Sequence, residues 1–308
     1  MTTYIVRRVM QALPIMIAVS FLVFMMSRLM PGDPAAMIAG PQATPELVEN
    51  IRQELGLDEP MLTQYWAFLT GLLQGDLGNS ILTKAPVTAE IGSRLGASLQ
   101  LAAVALVFSS VIGLSLGLIA GSRPGSRFDK AILVGSVGTL SIPNFWLGLT
   151  LLVYLAGQLG WFPVGGNNAP SSVILPAITL ALPPSVMVAR LTRASVAGEV
   201  GKAYVWSARA KGASNRRVMG HHVLRNALLP AVTMIGLEAG SLLSGVIVIE
   251  TVFAWPGIGT LLINSLMVRD YPVIQGLILF FSFVYIFVNL AVDVLYGVLD
   301  PRTAHASS

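Results

Sequence analysis

The chain has 308 residues, of which 54% are hydrophobic and only 11% charged, with a mean hydropathy of +0.74. Soluble domains carry roughly 25% charged residues, so this composition excludes water as the main solvent and describes a polytopic membrane protein. The formal charge of +4 reports membrane sidedness and not nucleic acid, because the basic residues gather by segment. The absence of cysteine removes disulfides, thiolate metal sites and cysteine nucleophiles together.

A bilayer core about 30 Å thick takes about 20 apolar residues per helix. Uncharged runs of that length predict six spans, near residues 9–27, 97–120, 131–157, 172–189, 228–252 and 273–298. The first follows Arg7 and Arg8 and runs longer than the roughly 7 to 15 residues of a signal-peptide core. It leads into Arg28 and PGDP (31–34) and is expected to stay as an anchor.

Residues 31–96 form one sizeable external segment, with eight acids (Asp33, Glu46, Glu49, Glu54, Asp58, Glu59, Asp76, Glu90) against Arg52, Lys84 and Arg94. It is expected to be folded. Thr44 and Pro45 make a helix start, Leu47, Ile51 and Leu55 recur at four-residue spacing, and Gly56 closes the helix. A second amphipathic stretch covers 62–73, with Tyr65, Trp66, Leu69 and Leu72 on one side, a composition suited to the membrane interface.

In the second span Gly113, Gly117 and Gly121 fall four apart, the spacing that lets helix backbones approach closely in lipid; Gly236, Gly240 and Ser244 repeat it in the fifth. This predicts tight packing within a bundle or, alternatively, a homodimer seam. Pro143 sits inside the third span beside Asn144 and Phe145, and Pro176, Pro183 and Pro184 lie in the fourth. Each proline removes a backbone hydrogen bond, and freed carbonyls are tolerated where protein or a water-filled cavity satisfies them. These kinks either line a pathway or are purely structural bends.

Glu238 falls about ten residues into the fifth span, where an acid costs about 2.5 to 3.5 kcal/mol on insertion scales. It should line a cavity or meet polar groups of another helix or subunit. Glu250 and Asp293, near span ends, read as interfacial anchors or pair partners.

Counting Lys and Arg with the N-terminus inside gives fourteen inner (Arg7, Arg8, Arg123, Arg127, Lys130, Arg190, Arg193, Lys202, Arg209, Lys211, Arg216, Arg217, Arg225, Arg302) against five outer (Arg28, Arg52, Lys84, Arg94, Arg269). That supports both termini inside and an even number of spans. The longest inner connection, 190–226, holds eight basic residues and one acid. Its centre reads as a short helix through Ala203, Ser207, Ala208 and Ala210, stopped by Gly212, with small residues that allow close docking of another protein.

ARAKG (208–212) followed by HHVLRNALLP (221–230) resembles the EAA loop of ABC importer permeases. Trp206 stands in the place of the glutamate and the spacing to Leu229 and Pro230 is longer, departures shared by the dipeptide and oligopeptide branch. Similarity continues in RLMPGDPAAM (28–37), ELGLDEPMLTQYW (54–66), GDLGNS (75–80), IPNFWLG (142–148), ETVFAWPGIG (250–259), RDYPVIQG (269–276) and DVLYGVLDPR (293–302). The segment after the first span resembles that of the B-type subunit.

The resemblance implies an all-α integral membrane protein of type I ABC importer permease architecture, with N- and C-termini in the cytoplasm. Its expected layout is a first transmembrane helix (1–30), an external segment (31–96), a five-helix core (97–298) with a cytoplasmic coupling loop (190–226), and a tail (299–308). Tyr204, Ser207, Ala208, Arg209, Ala210, Lys211 and Gly212 are the implied coupling residues. Pro143, Asn144, Phe145 and Glu238 are the candidate pathway residues. Implied partners are a second homologous permease, two ATP-binding subunits and an extracytoplasmic peptide-binding protein. No phosphate-binding GxxxxGK[ST] loop occurs in the chain, so ATP and Mg are expected on the partners, and no metal or other cofactor is expected here. The implied cargo is di- and oligopeptides, with nickel complexes or glutathione as alternatives. Two further classes are an ATP-independent secondary transporter and an intramembrane hydrolase; the latter is disfavoured because His221, His222 and His305 all fall outside the spans.

Overall fold

The computed structural model describes residues 2–29, 33–40, 42–54, 56–214 and 217–299. Arg216 and the tail from residue 300 onward, including Arg302, lie outside the described residues, as does the side chain of Asp293. Among the described residues the fold is all-α, with one isolated bridge between Asn79 and Pro86. In order the helices are α1 (Thr2–Leu29), α2 (Pro34–Ala39), α3 (Pro45–Glu54), α4 (Met61–Leu73), α5 (Val87–Ser122), α6 (Arg127–Ser141) and α7 (Asn144–Leu151). They continue with α8 (Ile174–Val200), α9 (Ala203–Ala210), α10 (Leu224–Val252), α11 (Ile258–Val268) and α12 (Tyr271–Leu299).

Among the described residues four helices are long and apolar enough to cross a bilayer, or six if each of two bent pairs is one span. The chain is therefore a multi-spanning membrane protein. The third predicted span is corrected: it is not one kinked helix but α6 and α7, set at 97°. The cause is local. Ile142 precedes Pro143 and takes an extended conformation (ψ 124), as residues before proline do, and Pro143 becomes the N-cap of α7. The second span starts at Val87 and not near 97, and its 36 residues span about 54 Å at 1.5 Å per residue. The fourth runs to Val200, past the predicted end at 189, with Pro183 and Pro184 inside an unbroken helix.

The chain divides into two units, residues 1–96 with 261–308, and residues 97–260. In the first, α1 packs along α12 and against α4. Tyr65 makes the α4 contact: its ring stands edge-on to Phe21 at 5.3 Å and beside Phe24 at 5.4 Å. Its hydroxyl bonds the Ile17 carbonyl at 3.2 Å and lies 2.9 Å from Ser20 Oγ. The sequence reading put Tyr65 and Trp66 on one side; they part, Tyr65 turning to α1 while Trp66 is exposed. Helix α3 starts and stops as expected, with Thr44 Oγ1 accepting from Leu47 N at 3.3 Å and Gly56 at φ +61. Asp33 caps α2 by accepting from Ala35 N and pairs with Arg52 of α3. Asp270 accepts from Ser80 Oγ (2.5 Å), Ile81 N (3.0 Å) and Leu82 N (3.3 Å), holding the 79–86 turn at the start of α12.

In the second unit α8 is central, with buried residues from Leu175 to Val196, and it packs against α6, α7 and α10. The α5 glycines explain how α5 joins it. A Cβ on Gly113 would lie 2.7 Å from Ser185 O, on Gly117 2.5 Å from Thr192 Cβ, and on Gly121 2.7 Å from Arg193 O. The stripe is thus a packing surface inside one chain. Gly236 does not repeat it, since a Cβ there meets nothing within 4 Å. A core of Leu101, Ala105, Leu175, Leu180, Ile249, Phe253 and others fills the space between these helices.

Candidate coupling helix and translocation cleft

Helix α9 follows α8 after Gly201 and Lys202 and ends in a Schellman pattern. Gly212 takes φ +80, its N–H reaches Arg209 O at 2.9 Å, and Ala213 N reaches Ala208 O at 3.1 Å. Only glycine enters that left-handed region freely, which accounts for its place in ARAKG.

One side of α9 is tied down. Val205 is fully buried with Val196, Val218, Val223 and Ala227, and Tyr204, Ala208 and Ala213 pack against the same cluster. The Tyr204 hydroxyl donates to Glu199 at 2.5 Å and accepts from Asn226 Nδ2 at 3.4 Å, while Lys202 Nζ pairs with Glu199 at 2.5 Å. The hydrogen bond to Glu199, with desolvation behind it, holds the Tyr204 hydroxyl above the usual phenol range. The same carboxylate raises the Lys202 ammonium. At neutral pH the phenol therefore stays a donor and the amine stays charged.

The other side is open. Ala203, Trp206, Ser207 and Ala210 are exposed at i, i+3, i+4 and i+7, a single helical face, with Trp206 63% exposed. Arg209, Lys211 and Gly212 are exposed as well. The seven residues read together from sequence thus separate: Tyr204 and Ala208 turn toward the chain's own core, and Ser207, Arg209, Ala210, Lys211 and Gly212 do not. Trp206, noticed only as a departure from the loop pattern, belongs to the open face. Its signal was the i, i+4 spacing with Ala210.

The pathway candidates divide too. Asn144 and Glu238 line one cleft of about 240 Å³ with Leu140, Pro183, Pro184, Met187 and Ser241. Glu238 Oε2 accepts from Ser241 Oγ at 2.7 Å. Pro183 and Pro184 lack the N–H groups that would bond the Thr179 and Leu180 carbonyls one turn back in α8. Pro143 and Phe145 do not line this cleft; Phe145 is 50% exposed elsewhere.

One buried carboxylate, Asp129, went unremarked in the sequence reading, and a second, Glu250, was read there as an interfacial anchor or pair partner. Asp129, 2% exposed, takes a bidentate bond from Arg193 (2.8 and 2.7 Å) and one from Gly125 N (2.9 Å), fastening the start of α6 to α8. Glu250 is not an interfacial anchor, because it is fully buried. It accepts from Ser98 Oγ (2.5 Å), Gly259 N (2.7 Å) and Thr260 N (3.3 Å), which places its carboxylate at the N-terminus of α11. A Cβ on Gly257 or Gly259 would collide with this carboxylate, and Trp255 Nε1 donates to Ala97 O at 2.9 Å. Those contacts explain much of ETVFAWPGIG. Among the described residues no three His, Asp or Glu side chains gather as a metal site.

With this geometry in hand, the comparisons assign the chain. Residues 113–305 match the family described as the binding-protein-dependent transport system inner membrane component, and residues 1–102 match the N-terminal family of the same membrane components. The chain belongs to this family and is a permease subunit of the peptide/nickel branch of ABC importers. In such importers ATP is hydrolysed on separate subunits, and the permease is not itself the enzyme. It is 42% identical over 301 residues, 98% of each chain, to the glutathione transport system permease protein GsiC of Escherichia coli strain K12, and equally similar to that of Shigella dysenteriae serotype 1. Among solved structures it resembles an amino acid ABC transporter crystallised with histidines (TM-score 0.53, 16% identity, 68% of this chain and 93% of that chain). It also resembles the MetNI methionine ABC transporter (TM-score 0.52, 18% identity, 68% and 96%). At that identity the likeness concerns the fold alone.

Proposed function

We propose that this chain forms half of the translocation pathway of an ATP-driven importer. It pairs with a second homologous permease, two ATPase subunits that hold ATP and Mg, and an extracytoplasmic binding protein. It sits in the cell membrane with six spans, each bent pair serving as one crossing, and with both termini in the cytoplasm. The fourteen-to-five distribution of Lys and Arg supports this orientation, which puts residues 31–96 outside and α9 inside.

The observation that carries the coupling role is the divided surface of α9. Its buried side is stapled to α8 through Val205 and the Tyr204–Glu199 bond, and its small-residue side with Trp206 lies open. A helix rigidly joined to a spanning element, with one face free, suits a partner that pushes on it. The cleft bounded by Asn144, Glu238 and the α8 prolines is the proposed pathway wall, a mainly apolar surface on which Asn144, Glu238 and Ser241 are the polar side chains.

For cargo we infer glutathione and peptides of similar size. The name of relatives 42% identical over 98% of the chain supports glutathione above the general di- and oligopeptides that sequence resemblance suggested. Reconstitution in liposomes with the second permease, the ATPases and the binding protein tests the reading. ATP-dependent uptake of glutathione is expected, and uptake by this chain alone would overturn it.

A further inference from the structure

A cavity of about 380 Å³ lies beside the end of α1, and Arg28, two residues beyond the apolar stretch Arg8–Met26, lines it. Phe24 and Phe68 form an apolar wall, their ring centroids 5.7 Å apart. The Arg28 guanidinium stacks over Phe24 at 5.3 Å, but its Nε is buried without an acceptor and no carboxylate pairs with it among the described residues. Gln64 lines the same cavity. Its Nε2 donates to Leu57 O (3.0 Å) and Glu59 O (2.7 Å), which fixes the direction of the amide, and its Oε1 is buried without a donor. Glu59 and Asp76 bring carboxylates to the lining, which also includes Thr63, Tyr271 and Gln275.

We propose that this cavity holds the zwitterionic headgroup of an ethanolamine phospholipid, its phosphate on the Arg28 side and its ammonium toward Gln64, Glu59 and Asp76. A partly buried cation without an anion forgoes solvation that a phosphate restores through charge-assisted hydrogen bonds. A purely anionic ligand satisfies Arg28 but leaves Gln64 Oε1 without a donor and sets negative charge beside two carboxylates. A choline headgroup brings a cation with no N–H. An ethanolamine phosphate meets Arg28, Gln64, Glu59 and Asp76 with one compact molecule. The position favours a lipid over a free solute, because the end of a spanning helix lies at headgroup depth and the aromatic wall suits the glycerol and upper acyl chain. This inference rests on α1 crossing the bilayer and not on what the importer carries.

The test is native mass spectrometry of the full-length chain in detergent, titrated with dioleoyl phosphatidylethanolamine, phosphatidylcholine or phosphatidylglycerol. One phosphatidylethanolamine should be retained with about tenfold preference over the other two. Arg28→Met and Gln64→Leu should each abolish that preference; thermal unfolding of the delipidated protein stays unchanged for Arg28→Met and falls for Gln64→Leu, which also loses its bonds to Leu57 O and Glu59 O. If either variant fails to fold, Glu59→Gln should lower phosphatidylethanolamine retention without lowering phosphatidylglycerol retention. Equal retention of the three lipids, or a preference that survives these substitutions, would overturn the proposal. So would displacement by millimolar glycylglycine in the absence of any lipid preference, which would make the cavity a site for soluble zwitterions.

Discussion

Ser98 Oγ donates to Glu250 Oε1 at 2.5 Å and accepts from Ile258 N at 2.8 Å. One hydroxyl thus joins α5, the end of α10 and the start of α11 in a buried polar knot. Ser98→Ala would leave a buried carboxylate short of a donor and a helix N-terminal amide without an acceptor. Each such loss costs about 1 to 3 kcal/mol, so a clear fall in the thermal unfolding midpoint is expected in detergent. Ser98→Thr, which keeps the hydroxyl, should recover part of it.

The open face of α9 should respond differently from its buried side. Ala210→Glu and Ser207→Glu are expected to leave unfolding unchanged while weakening capture of the ATPase subunits by about tenfold, or about 1.4 kcal/mol. Ala208→Glu drives a charge toward Val205 and Val218 and should lower both stability and capture. Co-purification with thermal unfolding separates these outcomes. Equal ATPase capture by all three variants would remove α9 as the docking element.

Tyr204→Phe removes the hydroxyl that holds Glu199, at a cost of about 0.5 to 1.5 kcal/mol. Because the folded protein holds the phenol proton more tightly than the unfolded chain, this contribution is complete below the unfolded pKa of about 10. It is lost as pH rises through the higher folded value. The stability gap between wild type and Tyr204→Phe should therefore be constant from neutrality to about pH 9 and then narrow.

Cysteines placed at Asn144 and Glu238 in this cysteine-free chain should react with water-soluble thiol reagents in the assembled importer, and cargo should protect both. Protection at neither position would remove the cleft from the pathway.

Gly117→Val would force a side chain into Thr192 and Ala189 of α8. Overpacking of this kind costs about 1 to 3 kcal/mol or more, whereas Gly135→Ala, inside α6 and meeting nothing within 4 Å, should be neutral to stabilising by up to about 1 kcal/mol. Expression and unfolding of the pair check this.

The membrane class, the external helix at Thr44 to Gly56, the α5 glycine stripe and the α9 stop at Gly212 were legible in sequence, because each rests on local spacing or on one residue's backbone freedom. The break between α6 and α7 was only half legible. Pro143 announced a disturbance, but whether a proline bends a helix or ends it depends on the packing around it, and the same residue type at 183 and 184 leaves α8 continuous. The roles of Asp129, Glu250 and Asp270 were opaque because a side-chain donor to each lies 64, 152 and 190 residues away. That Tyr204 and Ser207 take opposite faces was hidden for a related reason. Periodicity separates the faces of a helix, but only the docked cluster at Val196, Val218 and Val223 says which face is inward.

Helix α8 runs unbroken from the cleft to Glu199, where Tyr204 fastens α9 to it. From Pro184 to Val200 is about 24 Å at 1.5 Å per residue. If α9 couples as proposed, a tug on it is delivered as through a stiff lever, with the prolines, which lack the N–H groups of the backbone ladder, as its compliant point. The give in that rod falls at the wall that cargo would pass, so a small swing at one end can widen or narrow the passage without any helix having to unwind.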